Sequence, residues 1–255
     1  MPVFESASQP IRFRDKSGAW VDLALTLPVF LIYHLGVVFL KIRNASDIIT
    51  AYILERAEGD LSHYLLITAA IGVAFVAVFV ILGRGQAFAF GKFIQVAAEA
   101  LIYATAMRCG AVYVVGRIFA AAGIVQDNPW VGMVMSLGAG FYEEMTYRVL
   151  LFGGGLKIIL WIFVQQAPNP SMPPYSLRTT SASVSSVLFA FSWALISAAF
   201  FSGAHYIGPL ADDFSAVSFV FRAVLGLMLT VIYAFRGFAA AVWTHAFYDI
   251  GVLVF

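Results

Sequence analysis

The chain has 255 residues, of which 62% are apolar and 11% are charged, and its formal net charge is +1. A soluble globular domain carries roughly 25% charged residues, so this composition excludes a soluble protein and predicts a polytopic membrane protein. The near-neutral charge, without a block of Lys and Arg, excludes nucleic acid as an expected partner.

The N-terminus and the single cysteine each exclude one further feature. Met1 to Trp20 is polar, with basic residues ahead of the first apolar segment, which is not the pattern of a signal peptide. Cys109 has no second cysteine to pair with, so an internal disulfide is excluded. Its apolar surroundings predict a buried, inert thiol.

Seven segments are apolar over the ~20 residues that a transmembrane helix needs. They are Val21–Leu40, Tyr64–Leu82, Phe93–Tyr113, Val131–Val164, Val184–Tyr206, Phe214–Phe235 and Gly237–Phe255. The pattern predicts an all-α fold, a polytopic transmembrane helix bundle of seven to eight spans. Between the spans, Lys41 to His63 is a charged connection, and the Pro-, Ser- and Thr-rich stretch Gln165 to Ser183 is typical of a solvent loop.

The long segment Val131–Val164 is the reason for two possible counts. As one helix at ~1.5 Å per residue it would be about 50 Å long, more than the ~30 Å hydrocarbon core. Glycine weakens a helix interior, so Gly138-Ala139-Gly140 and Gly153-Gly154-Gly155 are the expected breaks. We therefore expect a spanning helix that starts near Phe141, preceded by a shorter segment.

Two glutamates and an arginine interrupt this apolar segment, where ionisable groups are costly and usually functional. Arg148 follows Glu144 at the spacing of paired residues on a helix, which predicts an ion pair. Neighbouring helical residues point about 100° apart, so Glu143 and Glu144 do not face one centre equally. Glu143 has no partner in its own helix and is the candidate general base. The alternative is that the three charged residues form a cluster with a purely structural role.

Two later apolar segments each supply a histidine. His205 follows Phe201 at a spacing that places the two rings on one helical face. His245 precedes Asp249 by the same spacing, and a carboxylate can accept the ring N–H and fix the tautomer. Each has a structural alternative, an interfacial histidine or a pair that locks the last helix. Together with the glutamates, they predict a polar intramembrane centre built from three helices.

Two chemistries fit such a centre. In the first, Glu143 and His205 hold and deprotonate a water that attacks an amide carbonyl, while His245, aligned by Asp249, donates to the developing oxyanion. In the second, Glu143, His205 and His245 ligate Zn²⁺, which activates the water. His-Glu-x-x-His is missing from the sequence, so the version without a metal or other cofactor is preferred.

The order of these motifs resembles a known family. Glu143-Glu144-x-x-x-Arg148, Phe201-x-x-x-His205 and His245-x-x-x-Asp249 follow one another on successive apolar segments. This arrangement is similar to the CAAX-protease and bacteriocin-processing (CPBP or Abi) family of intramembrane endopeptidases. The resemblance covers roughly half of the chain. It implies residues 131–255 as the intramembrane protease core and residues 1–130 as N-terminal transmembrane helices without a recognised motif.

The resemblance implies a bundle around a polar, water-filled cavity, and a peptide or protein substrate in or near the lipid bilayer. It implies Glu143 as the essential base and His205 as the residue that shares its water. His245 and Asp249 would lie on the oxyanion side. The supporting residues would be Glu144, Arg148 and Phe201.

Asp249 departs from the prenyl-protease branch of the family, where the last motif residue is Asn. An ionised carboxylate cannot donate to an oxyanion and would repel it, so Asp249 is either protonated or serves only to orient His245. The departure places the chain nearer the broad bacterial branch and weakens the case for a prenylated substrate. The expected location is the bacterial inner membrane, as a multi-pass integral protein.

Two other functions would use the same residues. A transporter or channel could use Glu143, the two histidines and Asp249 as a proton relay, although such proteins more often show inverted repeats. A non-catalytic membrane scaffold could keep the polar centre for packing alone. The depth of His245 in the membrane is a separate question. His245 lies about 12 Å from the start of its segment. It is at the same depth as His205 only if the last helix begins inside the bundle or tilts.

Overall fold

A computed structural model describes residues 19–44, 46–57, 60–82, 90–118, 128–163, 184–208 and 211–255. The regular structure of these residues is helical, which confirms the predicted all-α bundle. The helices are α1 Ala19–Leu40, α2 Ile48–Arg56, α3 Leu61–Leu82, α4 Phe90–Ile118, α5 Pro129–Phe163, α6 Val184–Ala204, α7 Ala216–Arg236 and α8 Phe238–Leu253. Residues 1–18 of the polar N-terminus and the predicted loop Gln165–Ser183 lie outside the described residues.

Each of the seven predicted apolar segments overlaps one helix, and the short helix α2 lies in the charged connection. Within the described residues, α1, α5, α6 and α7 are long and apolar enough to cross a membrane. Shorter apolar helices occur in α3 and α8. Helix α4 carries Glu99 and Arg108 in its interior and is not among these candidates. The chain is therefore a helical membrane bundle.

Helix α5 runs without interruption, so the predicted breaks at its two glycine clusters are wrong. Between those clusters, over Ala139–Gly154, the helix is wound as a π-helix. This form usually occurs as a single turn and is frequent at functional sites. The glycines permit close packing instead of ending the helix: a Cβ on Gly138 would come within 2.4 Å of the Tyr33 ring. Packing by neighbouring helices thus holds α5 together across its weakest positions.

Helix α8 lies at the centre of the bundle and packs against α1, α4, α5 and α7. Its N-terminus is enclosed, because Asp22 Oδ2 on α1 accepts a 2.9 Å hydrogen bond from the backbone N–H of Phe238. Gly237, between α7 and α8, has a φ of 99°, in the left-handed region that favours glycine. The last helix therefore begins inside the bundle, which is one of the two arrangements that would place His245 at the same depth as His205.

Helices α5 and α6 run antiparallel. The indole N–H of Trp193 donates to the carbonyl of Leu151 at 2.9 Å. Further along α6, Phe201 contacts Tyr147, which comes earlier on α5, with ring centroids 5.4 Å apart. The C-terminal end of α6 is therefore level with the part of α5 that carries Glu143.

Polar residues outside the three motifs also join elements of the bundle. Glu99 on α4 accepts two hydrogen bonds of 2.8 Å from Arg236 at the end of α7. Arg222 on α7 forms an ion pair with Asp212 at 2.5 Å. Cys109 is exposed on the outer surface of α4, so the prediction of a buried thiol is wrong.

Candidate active site

The predicted ion pair between Glu144 and Arg148 is present and buried. Arg148 Nε lies 3.1 Å from Glu144 Oε2, and both side chains are at most 1% exposed. Among the described residues neither atom has a hydrogen-bond partner, so the contact is Coulombic. Arg148 Nη2 donates to the Gly226 carbonyl on α7 at 3.3 Å, and its Cζ lies 4.3 Å from the centroid of the Phe201 ring on α6. Arg148 therefore ties α5 to both neighbouring helices.

His245 lies among three carboxylates. Its Nδ1 is 2.8 Å from Glu144 Oε1, and its Nε2 is 3.4 Å from Asp249 Oδ2 and 3.9 Å from Glu143 Oε2. An ionised carboxylate only accepts hydrogen bonds, so the Nδ1–H of His245 donates to Glu144. The sequence predicted Asp249 as the residue that orients this ring, whereas the shortest contact is made by Glu144.

Both glutamates reach this one imidazole, although the spacing of an ordinary α-helix predicted that they would not share a centre equally. Two features account for the difference. The π-helical winding of Ala139–Gly154 alters the angle between successive side chains. The two ring nitrogens of His245 also face different directions, so each glutamate approaches its own nitrogen.

Glu143 is buried, with 6% of its surface exposed, and its two carboxylate oxygens have different neighbours. Oε1 accepts a hydrogen bond of 3.3 Å from Ser46 Oγ, in the loop between α1 and α2. Oε2 faces His245 Nε2 at 3.9 Å, which is longer than a direct hydrogen bond. Oε2 is therefore the oxygen that can take a proton from a third molecule.

His205 is joined to this centre through Phe201. The ring centroid of Phe201 lies 5.3 Å from that of His205 and 6.0 Å from that of His245. His205 Nδ1 is 3.0 Å from the Phe201 carbonyl oxygen, and since a carbonyl only accepts, Nδ1 carries the hydrogen. Within the described part of the chain, no direct hydrogen bond or ion pair connects His205 to Glu143. The structure thus brings Glu143, Glu144, Arg148, His245 and Asp249 together, and His205 is linked to them through its contact with the Phe201 ring.

The contribution of α1 and the loop after it was missed by sequence reasoning. Ser46 contacts Glu143, and His34 Nε2 on α1 lies 2.8 Å from the Tyr142 hydroxyl. These partners are 97 and 108 residues apart in the chain, respectively. No local spacing rule connects residues at such separations, so only the fold reveals the pairs.

The zinc alternative needs Glu143, His205 and His245 at one point. Within the described ranges, no group of three or more His, Cys, Asp or Glu side chains is arranged to hold a metal ion. Nδ1 of His205 contacts the Phe201 carbonyl and Nδ1 of His245 contacts Glu144, partners that metal-bound histidines also have, so these two contacts do not count against zinc. The present arrangement does not form that ligand set, and chelation tests the zinc alternative directly.

Apolar helices around a buried acid–imidazole centre define this chain as a helical membrane protein with an ionisable site inside the bundle. Residues 125–251, about half of the chain, match the family model described as "Type II CAAX prenyl endopeptidase Rce1-like". The chain belongs to this Rce1-like family and is by family a CAAX-type membrane protease, as the motif resemblance indicated. No curated protein and no solved structure matched the chain.

Proposed function

We propose that this protein is an intramembrane endopeptidase, in the bacterial inner membrane, that hydrolyses a peptide bond with a water activated by Glu143. The observation that carries the proposal is the approach of Glu143 and Glu144 to the two nitrogens of His245. Family membership supports protease activity in general terms.

The attacking water binds between Glu143 Oε2 and His245 Nε2. These atoms are 3.9 Å apart, and polar groups separated by more than about 3.5 Å are commonly bridged by water. Glu143 takes a proton from the water as its oxygen attacks the amide carbon. When the carbon–nitrogen bond breaks, the same proton passes to the leaving nitrogen, so Glu143 ends the cycle as a carboxylate.

His245 stabilises the oxyanion that forms during this attack. The proposed role needs a hydrogen on each of its nitrogens, and a carboxylate acceptor lies at each. Glu144 fixes the ring through Nδ1, so the Nε2–H keeps one direction, and the substrate oxygen takes the place of Asp249 as its acceptor when negative charge develops. Asp249 then acts as the resting acceptor of that hydrogen.

His205 is the second partner of the attacking water. Its Nδ1–H is held by the Phe201 carbonyl, which leaves Nε2 with a lone pair that can accept a hydrogen bond from water. The centroid of the Phe201 ring lies 5.3 Å from that of His205 and 6.0 Å from that of His245, so both imidazoles border the same part of the site.

The test is cleavage of a panel of membrane-anchored peptides by purified protein in lipid, including matched peptides with and without a C-terminal prenylcysteine. Glu143→Gln and His205→Ala should each slow cleavage about 10²–10⁴-fold. Ser136→Ala should not, because the partner of its hydroxyl among the described residues is the Gly132 carbonyl of its own helix. Melting temperature and gel filtration establish that each variant is folded.

The same assay decides between the proposed roles and the alternatives. Full activity of Glu143→Gln would overturn the role of Glu143. Loss of cleavage with EDTA and recovery with Zn²⁺ would replace the water mechanism with the zinc version. Absence of cleavage together with pH-driven ion flux in liposomes would favour a transporter. The prenylated and unprenylated peptides, compared at equal concentration, define the substrate class.

A further inference from the structure

We propose that Ser46 is a positioning residue for Glu143: its hydroxyl holds Oε1 so that Oε2 faces the attacking water. The inference rests on the proposed function, because it deepens the role of Glu143 in that reaction. Ser46 belongs to the N-terminal half of the chain, outside the residues that match the family model.

The loop that carries Ser46 is held by side-chain hydrogen bonds. The Tyr33 hydroxyl donates to Asp47 Oδ2 at 2.8 Å and accepts from the Asn44 backbone N–H at 2.9 Å. Asn44 Oδ1 then accepts a 2.8 Å hydrogen bond from the Ser46 backbone N–H. Tyr33, Asn44 and Asp47 are all buried. Asn44, Asp47 and the backbone N–H of Ser46 are therefore held by groups that are removed from water.

Both ends of the loop are also anchored to other elements. Asp47 caps α2, because its Oδ1 accepts a 2.8 Å hydrogen bond from the Thr50 backbone N–H. On the other side, a Cβ placed on Gly138 of α5 would lie 2.4 Å from the Tyr33 ring and 2.9 Å from Asn44 Cβ. A glycine at this position lets the loop lie directly against α5, shortly before Glu143.

This arrangement gives the two oxygens of Glu143 different roles. A carboxylate at the end of a flexible side chain can present either oxygen, and a fixed donor at one oxygen limits that freedom. The 3.3 Å contact from Ser46 is longer than the usual O–H···O hydrogen bond of about 2.5–3.0 Å, so it favours one orientation of the buried Glu143 side chain without locking it. Ser46 thereby orients the base before the substrate binds, which is the effect expected of a group that preorganises a site.

The test compares Ser46→Thr with Ser46→Val, which have nearly the same shape but differ in the hydroxyl. We expect Ser46→Thr to keep kcat within about threefold, and Ser46→Val and Ser46→Ala to lose about tenfold in kcat, with KM unchanged. A purely structural role would lower the melting temperature and the active fraction of all three variants. Equal kcat values for the folded Thr and Val variants would overturn the inference, as would a loss confined to KM.

A double-variant experiment separates this inference from the proposed function. If Ser46 acts through Glu143, then Ser46→Val should not slow the residual reaction of Glu143→Gln any further. Losses that multiply would overturn the role of Ser46. Full activity of Glu143→Gln would instead overturn the proposed role of Glu143 as the base. Ser136→Ala, on α5, is the matched control for loss of a serine hydroxyl.

Discussion

Glu144 Oε1 lies 2.8 Å from His245 Nδ1, and this hydrogen bond joins α5 to α8 at the polar centre. The other oxygen of Glu144 lies 3.1 Å from Arg148 Nε. One carboxylate thus balances the charge of the arginine and orients the imidazole. The predicted pair with Arg148 is present, and the contact with His245 gives Glu144 a second task that its position in the motif did not reveal.

Replacing Glu144 should destabilise the protein strongly. Glu144→Ala leaves Arg148 buried without its counter-charge, and the loss of one partner of a buried ion pair costs about 3–5 kcal/mol. Glu144→Gln keeps an acceptor for His245 and should cost less. Thermal unfolding in lipid measures both, with Glu99→Ala as the control because its pair with Arg236 is partly exposed. Equal shifts for Glu144→Ala and Glu99→Ala would contradict this account.

Asp249→Asn should be at least as active as the wild type. The amide removes a negative charge 3.4 Å from His245 Nε2, where the oxyanion is proposed to form, and it can itself donate a hydrogen bond. Asp249→Ala removes the charge without supplying a donor and should give a lower kcat than Asp249→Asn. The measurement is kcat on the best peptide of the panel. A large loss for Asp249→Asn would mean that the carboxylate itself is required.

Gly140→Ala should lower stability because α5 and α8 touch at this glycine. The added Cβ would lie 2.8 Å from the Val242 carbonyl oxygen and 3.0 Å from Ala246 Cβ. Backbone atoms of α8 cannot move aside as a side chain can, so we expect a loss of about 1–3 kcal/mol. Gly72→Ala on α3 has nothing within 4 Å of the added Cβ and should gain about 0.5–1 kcal/mol. Melting temperatures that shift in the same direction would contradict the argument.

The stability of the first turn of α3 should depend on pH because of Asp60, which lies at the N-terminus of that helix. Hydrogen bonds from the backbone N–H groups of Ser62 and His63 hold the pKa of Asp60 below its usual value. Because the folded pKa is the lower one, the stabilisation is complete above the unfolded pKa of about 4 and is lost as the pH falls through the folded value. Hydrogen exchange in the first turn of α3 should rise over that range. In Asp60→Asn this acid-range rise should disappear, and an unchanged rise would contradict the assignment.

The hydrophobic segments were enough to predict where helices form. They did not predict that α5 continues through its two glycine clusters. Each apolar segment is helical because backbone groups in a bilayer must be satisfied within the helix. The breaks at the glycines were wrong because Tyr33, on α1, packs against Gly138. That contact joins residues more than a hundred positions apart, and local propensity contains no information about it.

In the candidate site too, contacts within one helix could be predicted from the sequence, whereas contacts between helices could not. Pairs at helical spacing, such as Glu144 with Arg148, could be predicted because α-helical and π-helical turns both bring such residues near each other. The contact of Glu144 with His245 could not, because it depends on how α8 crosses α5. Ser46 has no signature at all, since a serine in a polar loop resembles any other until the loop is folded.

The enclosed start of α8 also has a consequence for how the protein is made. The hydrogen bond from Phe238 to Asp22 spans 216 residues, so the first described helix cannot complete its contacts until α8 has been synthesised. His245 is carried by that same helix. A newly inserted chain therefore cannot acquire its complete polar centre before α8 is in place, and a truncation that removes α8 takes away the helix terminus that the buried Asp22 carboxylate caps.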